Sequence, residues 1–105
     1  MLAAFLVIVN LYAISAKDAY KYIGDSVKVC GRVEEIFRHN NGHLFLNIDG
    51  KYPHQKITFV IWNKFTKNFK GIHFRNRYIC AKGLIREYRG GLQIFLKTRS
   101  QLSFK

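Results

Sequence analysis

The sequence predicts an all-β domain, a small five-stranded barrel with one short helix before it and another between the third and fourth strands. Apolar and polar residues alternate in five short runs, and clusters of glycine, asparagine and aspartate separate several of them. The chain has 105 residues, a single proline and 49% hydrophobic residues, which suits one domain with a modest core.

The first sixteen residues carry no charged side chain and contain an apolar run that starts at Leu2. The run is short for a membrane-spanning helix and has the length of a signal-peptide hydrophobic region. Residues 1–16 are therefore predicted to be a signal peptide or a hydrophobic anchor, and residues 17–105 the folded domain. Cleavage would follow Ser15 or Ala16. A periplasmic or secreted protein is expected, with a membrane-anchored protein as the alternative.

The segment after Ser15 also has the pattern of a helix start. Ser15 and Asp18 stand at capping-box spacing, and apolar residues recur at helical spacing until Gly24. This predicts a short helix that leads into the barrel. Its apolar positions are Ala16, Ala19, Tyr20 and Ile23. A cut after Ser15 would remove the cap, so cleavage and capping are competing interpretations.

The first strand covers about Val27 to Glu34, and Gly31 marks a bend of the kind that curved barrel strands need. Asn40-Asn41-Gly42 is a strong turn signal before the second strand. That strand ends at Asp49-Gly50. Its inward face carries Leu44, Leu46 and Ile48, and its outward face carries Phe45 and Asn47.

The third strand covers about Lys56 to Trp62, the fourth about Arg77 to Tyr88 and the fifth about Leu92 to Thr98. Before the fourth strand, three apolar residues at helical spacing predict a short helix that Gly71 ends. These residues are Phe65, Phe69 and Ile72. The inward residues of the three strands are Ile57, Phe59, Ile61, Ile79, Ala81, Gly83, Ile85, Leu92, Ile94 and Leu96. This element order is that of the OB fold, a partly open Greek-key barrel.

The charge balance predicts a negatively charged partner. Lys and Arg number 18 against 6 Asp and Glu, which gives a formal net charge of +12 and a pI near 10.1. Such a chain repels itself unless a polyanion, an acidic protein or an anionic membrane neutralises it. Basic and aromatic residues are interleaved from Lys64 to Arg89, which favours nucleic acid, although several of these rings belong to the core.

Cys30 and Cys80 are the only cysteines, and they lack the spacing of zinc or thioredoxin-like sites. Strands one and four are neighbours in an OB barrel, and both cysteines alternate with inward-facing residues. A disulfide is therefore geometrically possible, with two small buried thiols as the alternative. The 4 histidines are scattered along the sequence, so no metal or other cofactor is predicted.

Catalysis is not expected. Metal-assisted phosphodiester cleavage needs clustered carboxylates, and the 6 acidic residues are dispersed. The sequence also lacks a serine nucleophile elbow and a glycine-rich phosphate loop before a helix.

Five short motifs occur in one order along the chain: Tyr22-Ile-Gly24, Val27 to Val33, Phe45-Leu-Asn47, Val60-Ile-Trp62 and Gly83 to Ile94. In this order they resemble the bacterial OB-fold nucleic-acid-binding domains, and the resemblance extends over roughly Ala19 to Gln101. Leu92 is a departure, because such domains often have proline before Gln-Ile.

The resemblance implies a module for single-stranded or exposed nucleic acid, either DNA or RNA, bound on the outer face of strands two and three and the adjoining loops. Bases would stack on exposed rings while cations follow the backbone, with little sequence preference. Phe45 and Trp62 are the expected stacking residues, although Trp62 could instead cap the barrel end. The other expected contacts are Arg38, His39, Asn40, Asn47, Lys64, Arg86, Tyr88 and Arg89.

Two alternatives accompany this prediction. The chain could be an exported interaction protein that binds an envelope protein or a small ligand, or it could lie on anionic lipid with residues 1–16 attached. Lys64, Lys67 and Lys70 are predicted to form a solvated helix face that adds general attraction without a specific site.

Overall fold

Eight strands and three 3-10 helices make up residues 13–105, the part of the chain that the computed structural model describes. The strands are β1 (Ala13–Ser15), β2 (Ser26–Arg38), β3 (Leu44–Ile48), β4 (Ile57–Ile61), β5 (Tyr78–Leu84), β6 (Arg86–Tyr88), β7 (Gly91–Phe95) and β8 (Leu102–Phe104). The 3-10 helices are Ala16–Tyr22, Asn63–Phe69 and Arg99–Gln101.

The strands form one curled sheet in the order β6-β7-β4-β3-β2-β5-β8, with β1 added beside β2. The β1–β2 and β4–β7 pairs are parallel and the others are antiparallel. The five predicted strands correspond to β2, β3, β4, β5 with β6, and β7. The predicted OB fold is confirmed, and the strand count is higher because the fourth predicted strand is divided into β5 and β6 and because β1 and β8 are additional short strands.

Strand β2 curls the sheet because its two halves have different partners. Residues 26–32 pair with β5, and residues 33–38 pair with β3. The register shifts between Val33 and Glu35, which is the mark of a bulge that bends and twists a strand. The bulge or bend predicted at Gly31 thus lies after Val33, and the glycine itself has a steric cause. A Cβ at this position would collide with Ile48 Cγ2 and lie 2.9 Å from Asp49 Oδ2.

The predicted fourth strand is interrupted at Ile85. Its N–H donates to the Asp25 carbonyl at 3.0 Å, and its own carbonyl accepts from the Gly24 N–H at 2.8 Å. These bonds take the Ile85 backbone out of the sheet ladder while its side chain stays buried in the core. The continuous strand from Arg77 to Tyr88 was therefore a wrong prediction.

The first helix differs from its prediction in two ways: it lacks the predicted side-chain cap, and it is a 3-10 helix. Ser15 precedes the helix but makes no side-chain capping bond. A 3-10 helix has three residues per turn, so Ala16, Ala19 and Tyr22 share the face that packs on the core. Tyr20 is 63% exposed and Ile23, just after the helix, is 44% exposed, so placing both on the apolar face was wrong.

The core confirms the inward positions predicted for the barrel strands. Gly83 also faces the core, because a Cβ there would lie 2.7 Å from Ile94 Cγ2. In the second 3-10 helix Phe69 is buried, and Phe65 and Ile72 pack against the same core. The buried apolar cluster is Ala16, Ala19, Val29, Val33, Leu44, Leu46, Ile48, Ile57, Phe59, Ile61, Phe69, Phe74, Ile79, Ala81, Ile85, Ile94 and Leu96.

The predicted boundary after residue 16 lies close to ordered elements of the barrel. β1 pairs with residues 28–30 of β2, and Ala16 is buried in the core. A cut after Ala16 would remove both. The first twelve residues of the predicted signal peptide or anchor lie outside the described residues, and its cleavage stays a prediction. Within residues 13–105 no helix is long and apolar enough to span a membrane.

Cys30 and Cys80 form the disulfide that the sequence made possible. They are directly opposite in the β2–β5 register, their Cα atoms are 4.0 Å apart, and both side chains are buried. The structure thus favours the bonded form over the alternative of two free thiols.

Removing this bond should destabilise the domain strongly. The disulfide links residues 50 positions apart, and the chain-entropy cost of closing such a loop in the unfolded state is about 4 kcal/mol. We expect the Cys30→Ala/Cys80→Ala variant to lose stability of that order in urea unfolding. Wild type with excess reductant is the matched control and should show a similar midpoint. A variant as stable as the oxidised wild type would contradict the expected contribution.

Candidate nucleic-acid interface

A row of side chains crosses the outer face of four strands. Phe37 of β2 is opposite Phe45 of β3, Phe45 is opposite Val60 of β4, and Val60 is opposite Phe95 of β7. Their strand neighbours Leu46, Phe59 and Ile94 face the core, so the row faces outward. The rings of Phe37 and Phe45 are stacked at 6.0 Å and 27°.

Further rings extend this row around one end of the strands. Trp62 meets the Phe95 ring at 5.3 Å and the His43 ring at 4.5 Å, in edge-to-face contacts. His39 is 6.4 Å from His43 and 6.1 Å from Phe37. We call this connected set the stacking surface. It consists of Phe37, His39, His43, Phe45, Trp62 and Phe95.

Both histidines are held by backbone donors. The Asn63 N–H donates to His43 Nδ1 at 2.9 Å, and the Asn41 N–H donates to His39 Nδ1 at 3.3 Å. The His43 N–H in turn donates to Asn41 Oδ1 at 3.1 Å, which braces the β2–β3 loop. Arg38 ends β2, and His39 and Asn40 follow it on this loop. All three are exposed beside the Phe37 end of the stacking surface.

Cations flank the rings at the opposite edge. The Arg86 guanidinium lies 4.9 Å from the Phe95 ring centroid, and Lys64 is exposed two residues after Trp62. Tyr88 and Arg89 lie farther along the β6–β7 hairpin, where Arg89 packs on the Tyr88 ring at 5.2 Å. Among the described residues, neither Tyr88 nor Arg89 has a ring contact with any other side chain. The tip of the hairpin is therefore separate from the stacking surface.

We call the row of Phe37, Phe45, Val60 and Phe95 the aromatic row. A row of polar side chains lies beside it on the same face, two residues away along each strand. Glu35, Asn47, Thr58 and Gln93 are successive partners across β2, β3, β4 and β7. Thr58 Oγ1 donates to Asn47 Oδ1 at 2.8 Å, and Asn47 Nδ2 donates to Glu35 Oε1 at 2.8 Å. Asn47, predicted as a ligand contact, is only 4% exposed. Its amide binds its neighbours in the sheet.

Glu35 is the acidic group of this face. The backbone N–H of Tyr52 donates to its carboxylate at 2.9 Å. That bond and the Asn47 amide hold the pKa of Glu35 below its ordinary value of 4.5 against the opposing effect of desolvation, and the charge of Lys51 adds the smallest contribution. Glu35 is therefore an anion at neutral pH. Within residues 13–105 no three His, Cys, Asp or Glu side chains are grouped to hold a metal ion.

Three rings of the stacking surface were not predicted: Phe37, His43 and Phe95. Phe95 could have been found, because it alternates with the inward residues Ile94 and Leu96. Phe37 lies beyond the predicted end of the first strand and past the bulge, which shifts the alternation. His43 faces the rings through its contact with Trp62, which sequence spacing does not show.

The profile of the tRNA anti-codon family, described as an OB-fold nucleic acid binding domain, matches residues 27–99. The chain belongs to this family. The matched range contains all of the stacking surface and the five barrel strands, apart from the first residue of β2. This OB-fold nucleic acid binding domain has no significant match among curated proteins.

Solved structures share its fold at low identity. An aspartyl tRNA synthetase from Entamoeba histolytica is 11% identical with a TM-score of 0.63, and the match covers 92% of this chain and 22% of that one. An asparaginyl-tRNA synthetase from the same organism is 14% identical with a TM-score of 0.57, covering 90% and 24%. The S. pombe Stn1-Ten1 complex is 12% identical with a TM-score of 0.55, covering 76% and 57%. The chain thus spans about a quarter of each synthetase chain.

The Glu35 contacts should make stability depend on pH in the acid range. Because its folded-state pKa is lowered, Glu35 stabilises the fold above pH 4.5, and this contribution is lost as the pH falls through the lower folded value. We expect Glu35→Gln to lower the thermal midpoint at pH 7 and to converge with wild type in strong acid. The exposed neighbour Glu34, as Glu34→Gln, is the control. If the thermal midpoint of Glu35→Gln lay below that of wild type by the same amount from pH 7 to pH 2, the result would contradict this assignment.

Proposed function

We propose that this domain is a non-catalytic module that binds single-stranded or exposed nucleic acid, stacking bases on the stacking surface with little sequence preference. The observation that carries the proposal is the connected set of rings across the outer face of the barrel. Every base has a π face, so stacking on aromatic side chains is sequence tolerant and contributes about 1 to 3 kcal/mol per base.

The outward position of these rings supports a binding role. The outer face of an antiparallel sheet is ordinarily polar when water covers it, and the core of this domain is filled from the other face of the same strands. Phe37 is nevertheless 52% exposed on β2. An exposed ring next to further rings presents a flat apolar surface to a planar ligand.

The charge around the rings fits a phosphate backbone. Arg38 lies between Phe37 and His39 in the sequence, Lys64 follows Trp62 by two residues, and Arg86 lies against Phe95. The formal net charge of +12 adds long-range attraction for any polyanion. We assign Tyr88 and Arg89 to the outer edge of the interface, where they would contact a strand that extends past Arg86.

The polar row explains why we propose weak sequence preference. Asn47 and Thr58 are buried and bonded within the row, so their polar groups are engaged by the protein. The Glu35 anion repels phosphate, which favours a path with the bases over the aromatic row and the backbone on the side away from Glu35.

We further propose that the domain works in an oxidising compartment, reached through residues 1–16. The Cys30–Cys80 bond supports this, because disulfides persist mainly outside the reducing cytosol. A reporter enzyme fused after residue 16 would test it. Export with cleavage supports a signal peptide, export without cleavage supports an anchor, and a reporter retained in the cytosol would contradict both.

Truncating Phe37 should weaken binding far more than it weakens the fold. The ring is mostly outside the core, so we expect Phe37→Ala to raise Kd by about 5-fold to 150-fold, the equivalent of one stacked base. Fluorescence anisotropy with labelled single-stranded DNA and RNA measures this, and Phe45→Ala should act in the same direction. Tyr20→Ala removes another exposed ring, outside the stacking surface, and is the control. Equal losses in Phe37→Ala and Tyr20→Ala would exclude a specific stacking role.

Arg86 should contribute charge rather than sequence recognition. We expect Arg86→Ala to weaken binding to all sequences alike and to reduce the slope of log K against log salt by about 0.7, the loss of one phosphate contact on a single strand. Arg75→Ala removes an exposed arginine from another segment and should keep the wild-type slope. An unchanged slope in Arg86→Ala would place this side chain outside the interface.

A further inference from the structure

A second basic surface lies next to the Trp62 end of the stacking surface. It is built by the second 3-10 helix, the residue after it, and the segment that follows β7. We call it the basic cluster. Its members are Lys64, Lys67, Lys70, Lys97 and Arg99, all of them exposed.

Helix geometry aligns three of these cations. A 3-10 helix repeats every three residues and rises about 2.0 Å per residue, so Lys64, Lys67 and Lys70 recur on one side at intervals of about 6 Å. The burial pattern agrees, because these three positions are exposed while the residues between them are buried or half-buried. In an α-helix each of these three-residue steps would instead be offset by about 60° around the axis.

Direct contacts hold the two segments of the basic cluster together. Asn68 Nδ2 donates to the Lys97 carbonyl at 2.7 Å, and Arg99 Nη1 donates to the Lys70 carbonyl at 3.1 Å. Lys64 and Lys97 place their ammonium groups 5.2 Å and 5.9 Å from the centroid of the same Phe65 ring. The cations are thus collected on one braced surface.

Within the described part of the chain, no carboxylate forms an ion pair with this surface. The segments 63–70 and 97–101 contain no Asp or Glu, and within residues 13–105 the one ion pair joins Lys21 and Asp18, on the first 3-10 helix. Like charges held together without counter-charges raise the local positive potential and attract a polyanion.

We propose that the basic cluster binds the phosphate backbone of a nucleic acid strand that continues beyond the stacking surface; this rests on the proposed function. Continuity of the two surfaces supports it. Phe65 donates its N–H to the Trp62 carbonyl at 2.8 Å, and Lys97 follows Phe95 by two residues. A strand that leaves the rings of Trp62 and Phe95 meets the basic cluster next. The cluster therefore lengthens the binding site rather than adding only general attraction.

Oligonucleotides of two lengths distinguish binding at the basic cluster from binding at the stacking surface. The variant Lys67→Gln/Lys70→Gln/Lys97→Gln removes three cations of the basic cluster. The control Lys17→Gln/Lys82→Gln/Lys105→Gln removes three exposed lysines elsewhere, so both proteins have the same net charge. Binding is measured by anisotropy over a salt series with single strands of about 4 and about 12 nucleotides, within the range of OB-fold site sizes. Thermal midpoints equal to wild type verify that both variants fold.

We expect the cluster variant to reduce the log-log salt slope on the longer strand by about 2, the value for three phosphate contacts on a single strand. Its binding to the short strand, and the slopes of the control, should equal those of wild type. The proposal is overturned if the control loses as much slope as the cluster variant, if the cluster variant keeps the wild-type slope, or if both strand lengths are affected equally. Failure of the stacking proposal is a separate result, a Phe37→Ala protein with wild-type affinity for the longer strand.

Discussion

The pairing of β2 with different strands along its two halves is the constraint on which the rest of the structure depends. Because its first half bonds to β5 and its second half to β3, the sheet must curl, and the bulge after Val33 supplies the bend. Gly31 lies just before this bend, where Ile48 leaves no space for a side chain. The same bend aims Phe37 across the sheet toward Phe45, so barrel closure and construction of the stacking surface have one cause.

Successive side chains of a strand point to opposite faces of the sheet, so the same strands supply both the core and the outer face. On β3, β4 and β7 the inward residues fill the core, while the outward residues form an aromatic row and a polar row. The disulfide lies in the first half of β2, away from Phe37 in the second half. The stacking surface therefore lies on the face opposite the core, where Phe37 is exposed and Val60 is buried.

Charge is arranged unevenly around this face. The Glu35 anion is fixed by Tyr52, Asn47 and Lys51 beside the polar row, whereas the cations occupy the ends of the aromatic row and the surface beyond Trp62. A polyanion would meet repulsion on one side of the rings and attraction on the other. The two sides of the outer face therefore differ in charge, which the formal net charge alone does not show.

The sequence by itself determined the main strands, their order along the chain and the inward residues, because alternation and turn residues are local signals. The match of this element order to an OB barrel made a bond between Cys30 and Cys80 possible. The sequence also placed Phe45 on the outward face of its strand. Tertiary structure decided the features that depend on register and helix type. The bulge turned Phe37 outward, Ile85 left the sheet to bond with Asp25, and cross-strand partners engaged Asn47. The 3-10 period exposed Tyr20 and aligned the lysines of the second helix, because a three-residue repeat groups different side chains than the α-helical repeat does.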